Sequence, residues 1–222
     1  MITIGISSYN QQDFLPEAIE SALDQTVKCE VIVVNDGSTD ISLEIAKKYP
    51  VKIINQVNKG LSSARNTAIM NMTGEYFLPL DSDDILLEHC AERMQQAIDE
   101  TNADIIAPSF KCFGVANNEV ILGQIPTIKE LISANRFPYF SAIKKDALLE
   151  IGGYNPKMIW GWEDWDLWID LVKRSKTVCM LSDVLVLYRT KESSMYTESL
   201  KHSSDLQAQM IKNHTEVYDS IS

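Results

Sequence analysis

Short β-branched apolar runs alternate with amphipathic stretches along the first half of the chain. The runs are ITIGIS (2–7), EVIVVN (30–35), VKIIN (51–55) and EYFLPL (75–80). Each is apolar at consecutive positions rather than at every second one, the pattern of a strand buried on both faces. Between them, DFLPEAIESALDQ (13–25), DISLEIAKKY (40–49) and LSSARNTAIMNM (61–72) read as helices. Alternating strand and helix predict βαβ units, an α/β fold and a mostly parallel sheet flanked by helices. Pro79 cannot donate to a sheet ladder, a mild objection that is tolerable at the end of a strand, where the chain is leaving the sheet.

A helix over 88–101 and a strand over 104–110 continue the rhythm, which then loosens. Residues 114–124 read as a hairpin, 127–135 as a short helix, and 152–162 as a loop rich in Gly and Trp. A helix over 163–175, a strand over 184–189 and a polar, helix-compatible tail over 203–222 complete the chain. With no repeat, low-complexity tract or linker, one domain over 1–222 is expected: a nucleotide-type first half, 1–110, and an elaborated second half, 111–222.

The chain has 222 residues and a net charge of −11. That charge argues against bare nucleic acid and anionic lipid as partners, yet leaves room for a nucleotide whose phosphates are covered by a metal. Cys29, Cys90, Cys112 and Cys179 lack metal or redox spacing and read as reduced core residues of a cytosolic protein. The N-terminus lacks the pattern of a signal peptide, and no window is apolar enough to span a membrane, so any membrane contact is expected to be peripheral.

The chemistry collects at the carboxyl ends of the strands, where parallel α/β sheets bind ligands. Those ends carry Ser7-Ser8-Tyr9-Asn10, Asn35-Asp36-Gly37-Ser38, Asn55 with Asn58-Lys59-Gly60 beyond, and Asp81-Ser82-Asp83-Asp84. Turn formation and helix capping explain Gly37 and Asp40. Asp36 remains a carboxylate able to accept from a base or ribose. Asp81 and Asp83 are two apart in an extended segment and so share a side. Two carboxylates aimed together invite Mg2+ or Mn2+ completed by substrate phosphates. A calcium loop is excluded, because Leu86 stands where that loop requires glycine.

On a helical wheel of about 100° per residue, Asp164 falls on the apolar face with Leu167, Trp168 and Leu171. Glu163 falls with Asp166 and Asp170 on the charged side. An inward carboxylate suits a general base, and the flanking Trp160 and Trp162 offer flat faces to a sugar or to the core. Phosphate-binding P-loops, dinucleotide fingerprints and serine nucleophile elbows are absent.

Taken in order, SYNQQDFLPEAIESALDQT, VIVVNDGSTD, NKGLSSARNTAI, FLPLDSDDIL, IGGYNP, WEDWDLWIDL and LYR resemble the family 2 glycosyltransferases over residues 2 to about 195. The resemblance implies a GT-A type, Rossmann-like sheet with an acceptor-binding second half. It implies inverting transfer of a sugar from a nucleotide-diphospho-sugar, UDP by default, to a glycan or lipid-linked saccharide, in the cytoplasm or at the inner face of the membrane. Ser8, Tyr9, Asn10, Asp36, Lys59, Arg65, Asp81 and Ser82 would bind the donor. Asp83, with Asp81, would hold Mn2+ or Mg2+, and Asp164 would be the catalytic base. Trp160, Trp162 and Glu163 would face the acceptor, with Arg189 and Lys191 near the diphosphate. Lys191 departs from the family, which often has a histidine there, so no third metal ligand is carried over. Two readings compete. A sugar nucleotidyltransferase would need a glycine-rich basic loop after the first strand, which SSYNQQDF does not provide. A non-catalytic nucleotide-sugar-binding subunit would not need the intact acids.

Overall fold

The computed structural model describes residues 1–220. In chain order the strands are β1 (Ile2–Ser8), β2 (Glu30–Asp36), β3 (Lys52–Gln56), β4 (Tyr76–Asp81), β5 (Ile85–Leu86), β6 (Ile105–Gly114), β7 (Glu119–Val120), β8 (Ala142–Lys144) and β9 (Val178–Thr190). The helices are α1 (Leu15–Leu23), α2 (Ser42–Ala46), α3 (Leu61–Asn71), α4 (Cys90–Thr101), α5 (Ile128–Ser133), α6 (Lys145–Ile151), α7 (Glu163–Lys173), α8 (Met195–Ser199), α9 (Ser203–Asn213) and α10 (Thr215–Asp219). The tail expected to be helical is thus α9 and α10, while Ile221 and Ser222 lie outside the described residues.

One sheet runs β3-β2-β1-β4-β8-β6-β9-β5, with β7 alongside β6. The four strands β1 to β4 are mutually parallel, as the alternating rhythm requires. β8 joins antiparallel between β4 and β6, whereas β6 and β9 are parallel to each other. The expected mostly parallel α/β sheet is therefore present, with antiparallel insertions in its second half.

Both faces are covered, which explains the unbroken apolar runs. Val31 and Val33 of β2 pack into one core with Ile4, Leu15, Ile19 and Met94. Ile32 and Val34 pack into the other with Ala64, Ala68, Leu167 and Trp168. A Cβ on Gly5 would collide with the Phe77 ring, so glycine at that β1 position lets β4 present Phe77. β8 covers only Tyr76 and Phe77 of β4. From Leu78 onward β4 is therefore open on that side, which accommodates Pro79. Pro108 marks a similar break, at the register shift between β6 and β9.

Candidate active site

Strand register converges the polar ends read in the sequence. Ser7 stands beside Asp81, Ser8 beside Asn35, and Asp36 beside Gln56. Ser7, Ser8, Asp36 and Asp81 border a cleft of ≈ 340 Å³ whose walls also include Tyr9, Ser82, Asp83, Arg189 and Lys191. Within it, Ser7 Oγ and Ser8 Oγ are buried without a hydrogen-bond partner among the described residues. Orphaned buried hydroxyls are uncommon and call for a ligand or water.

Asp36 shapes one wall. Its Oδ1 accepts from Gln56 Nε2 (2.7 Å) and the Lys59 N–H (2.9 Å), and its Oδ2 accepts from the Gly60 N–H (2.8 Å). Lys59 therefore contributes its backbone to this wall. Gly37 has φ +74°, and a Cβ there would lie 2.7 Å from Asn58 N, so this turn requires glycine. Asn10 adopts φ 52°. Its Oδ1 accepts from the Thr39 N–H at 2.7 Å, pinning the β1 loop to the loop after β2.

Each acid after β4 has its own partner. Arg65 Nη2 pairs with Asp81 Oδ1 at 2.8 Å. Lys191 Nζ pairs with Asp83 Oδ2. Asp84 Oδ2 accepts from Tyr139 Oη (2.6 Å), and its Oδ1 accepts from the Arg189 N–H (2.6 Å). Tyr139 Oη in turn accepts from the Asp81 N–H at 2.9 Å. Burial, then the neighbouring Asp83 and Asp81 charges, push Asp84 well above the ordinary carboxylate range. Burial also raises Asp81, against the pull of Arg65. Arg189 sends its Nε–H to the Asp83 carbonyl (2.8 Å) and its Nη2 to Glu17 (2.5 Å). Its guanidinium lies 4.8 Å from the Phe14 ring and 4.3 Å from that of Phe113.

A second cleft of ≈ 560 Å³ adjoins the first, and Leu61, Asp81, Tyr188, Met195 and Tyr196 line both. Glu163, Asp164 and Trp162 line this second space at the N-terminus of α7. Asp164 Oδ2 accepts from Asn135 Nδ2 at 2.9 Å. Its pKa is raised by burial, while Arg65 and Asn135 pull it back down. Glu163 is likewise raised by burial and opposed by Arg65.

Arg65 is the joint between the clefts. Its Nη1 donates to Glu163 Oε1 at 2.7 Å, with side-chain exposures of 1% and 7%, while its other terminal nitrogen holds Asp81. The rings of Tyr139 and Tyr154 lie 4.9 and 5.2 Å from the guanidinium carbon. Burial disfavours the guanidinium charge, but Asp81 and Glu163 outweigh it and hold the group firmly protonated.

The α7 faces differ from those of the helical wheel. Glu163 and Asp166, expected on the charged side of α7, are both buried, and Asp164 is only half-buried. Glu163 is turned onto the buried Arg65, and Asp166 is covered by the end of α9 and by His214. Asp166 Oδ1 accepts from Asn213 Nδ2 (2.7 Å) and meets His214 Nε2 at 2.9 Å. Trp160 is 44% exposed and is stacked on His202, with centroids 4.0 Å apart. It is absent from the walls of the second cleft, where Trp162 stands against Trp165. Sequence reasoning did not single out Tyr139, Asn135 or Tyr188. FPYF, SAN and VLVLYR look like ordinary core, helix end and strand, and only the fold brings these residues to the acids.

No three His, Cys, Asp or Glu side chains gather around one point among the described residues. A hard divalent cation bound through one or two carboxylates plus donor phosphates does not need such a group. Asp83 with Asp81 behind it is a donor set that fits that mode. No helix among the described residues is long and apolar enough to cross a membrane.

Residues 3–162 match the family described as Glycosyl transferase family 2. Glycosyltransferase GlyA of Streptococcus pneumoniae is 40% identical over 118 residues, 50% of this chain but 17% of GlyA, so the chain spans a small part of that relative's length. The crystal structure of S. aureus TarS 1-349 in complex with UDP-GlcNAc superposes with a TM-score of 0.76, at 19% identity, covering 97% of this chain and 72% of that one. The mannosyltransferase PcManGT from Pyrobaculum calidifontis, in complex with GDP-Man and Mn2+, superposes with a TM-score of 0.69, at 16% identity, covering 98% and 69%. These likenesses establish the same fold.

Proposed function

The chain belongs to glycosyl transferase family 2, and from that premise we propose that it moves a sugar from a nucleotide-diphospho-sugar to a saccharide hydroxyl, with inversion. The observation that carries this reading is the pair of partnerless buried hydroxyls, Ser7 and Ser8, in a cleft floored by Asp36, Asp81 and Asp83. A nucleoside diphosphate supplies the acceptors and donors those groups lack. Tyr9, 46% exposed at the cleft, offers a ring to the base. Ser8 and Asp36 take the ribose side, with the loop carrying Lys59 held in place by Asp36 and Asn10 fixing the opposite loop. Arg189 and Lys191 face the diphosphate. UDP is the preferred nucleotide; TarS was captured with a UDP-sugar, and PcManGT with GDP-Man and Mn2+.

Asp164 acts as general base from the second cleft. It takes the proton of the acceptor hydroxyl as that oxygen bonds to the anomeric carbon and the bond to the diphosphate breaks. Burial strengthens it as a base, and Asn135 orients its carboxylate. Asp83 and Asp81 would hold Mn2+ or Mg2+, which would supply positive charge to the departing diphosphate. Trp162 and Glu163 border the acceptor, a glycan or lipid-linked saccharide, and Trp160 with its His202 stack stands further out. Arg65 keeps the two halves in register instead of touching the nucleotide.

A thermal-shift screen of UDP-, GDP- and dTDP-sugars with and without Mn2+ tests the reading, because a ligand bound only by the native state raises its stability. At least one nucleotide should raise the melting temperature in a Mn2+-dependent way, and its sugar should be slowly hydrolysed. A folded protein stabilised by none of them contradicts it.

A further inference from the structure

Asp83 is the carboxylate a donor-bound cation would need, and in this protein it already has a counter-charge. Lys191 Nζ is ion-paired with Asp83 Oδ2 and lies 4.9 Å from the centre of the Phe14 ring. Both side chains belong to the wall of the first cleft, with exposures of 27% and 20%. The other two acids differ. Asp81 is held by the fully buried Arg65, and Asp84 by Tyr139 and a backbone N–H. Of the three, only Asp83 is neutralised by a flexible, partly exposed side chain, and a lysine ammonium on a four-carbon stem can change partners at little cost.

We propose that Lys191 is a resident counter-cation that occupies Asp83 until the donor arrives, then passes to the donor diphosphate and releases Asp83 to the divalent cation. This rests on the nucleotide-sugar reading above. Charge balance gives the reason. A divalent cation entering alone would meet a carboxylate whose charge the ammonium already cancels, a corner with no net attraction for it. When a diphosphate enters with it, the ammonium gains a new anion and the cation gains both Asp83 and phosphate oxygens. Lys191 thereby makes metal binding conditional on nucleotide and ties cation and donor into one binding event.

The test compares wild type with Lys191→Met in two titrations that involve no turnover. Free Mn2+, followed by its paramagnetic resonance signal, is titrated with nucleotide-free protein, and UDP is titrated calorimetrically in saturating Mn2+. Removing an internal competitor of a partly exposed pair's strength should tighten Mn2+ alone by about two- to fivefold. The same variant should bind UDP with Mn2+ several-fold more weakly, having lost its phosphate partner. Opposite signs in one variant are the signature, and unchanged thermal unfolding shows that the fold is intact. Lys191→Gln, which keeps a polar stem, should give the same pair of signs. Mn2+ affinity unchanged or weakened in both variants overturns the inference, as does Mn2+ binding too weak to detect in either variant. If wild type binds Mn2+ but no nucleotide, the donor reading fails instead, and the Mn2+ comparison still judges Lys191.

Discussion

Arg65 and Glu163, 98 positions apart in the chain, are ion-paired at 2.7 Å with almost no solvent access. Because Arg65 also grips Asp81 at 2.8 Å, one guanidinium fastens the acid motif after β4 to the N-terminus of α7, where Asp164 sits. The distance between the first and second clefts is thus fixed by a side chain rather than by the backbone alone.

Arg65→Met should destabilise the protein by about 3–5 kcal/mol, since it strands a buried carboxylate without its cation. Arg65→Lys should recover only part of this loss, because a single ammonium does not reproduce the two-nitrogen bridge. Urea unfolding of both variants reads the result.

The acid limb of the pH–kcat profile should lie above the ordinary carboxylate range, with activity rising as pH rises through it. Burial raises Asp164, and the base must be ionised to work. The Asn135 hydrogen bond favours the charged form, so Asn135→Ala should move that limb to still higher pH. A limb that stays in place in Asn135→Ala would separate Asp164 from the observed titration.

Asp164→Asn should lower kcat on the order of 10²–10⁴-fold, the usual contribution of a positioned base. UDP affinity in the presence of Mn2+ should be nearly unchanged, because Asp164 lines the second cleft and not the first. Calorimetry and initial rates on the same preparation distinguish the two effects.

Asp166→Ala should cost at least about 3 kcal/mol, because it removes the shared partner of Asn155, Asn213 and His214. Burial works against the Asp166 charge, but these hydrogen bonds outweigh it, so its pKa is lowered. Its stabilisation is therefore present above the ordinary carboxylate pKa and is lost as pH falls through the lowered value. In the variant, the slope of stability against pH across that acidic window should be shallower.

The first four strands were legible because each run is apolar at consecutive positions, and both faces of that sheet are indeed covered. The helices between them were legible too, though α2 spans only Ser42–Ala46 where 40–49 was expected. β5, β7 and β8 are two or three residues long and carry no periodicity to detect. β9 runs over Val178–Thr190, far beyond the apolar core 184–189 that marked it, because it pairs with β6 along nearly its whole length. The polar strand ends pointed to the first cleft, since strand direction alone brings Ser8, Asp36 and Asp83 to one edge. What the sequence could not show was which cation meets which acid. The resemblance put Arg65 against the donor, and only the fold shows it bridging Asp81 and Glu163. The wheel misplaced Glu163 because it knows nothing of Arg65, and Asp166 because it knows nothing of Asn213 and His214.

Calorimetric titration of UDP into wild type and Asp83→Ala, each with and without Mn2+, addresses the claim that the first cleft holds a metal-bridged nucleotide diphosphate. Binding to wild type should be measurable and should weaken at least about tenfold when either Mn2+ or the Asp83 carboxylate is removed, the cost of losing a charge-assisted contact. Equal affinity in all four titrations, or none for UDP, GDP or dTDP with folded wild type, would contradict it.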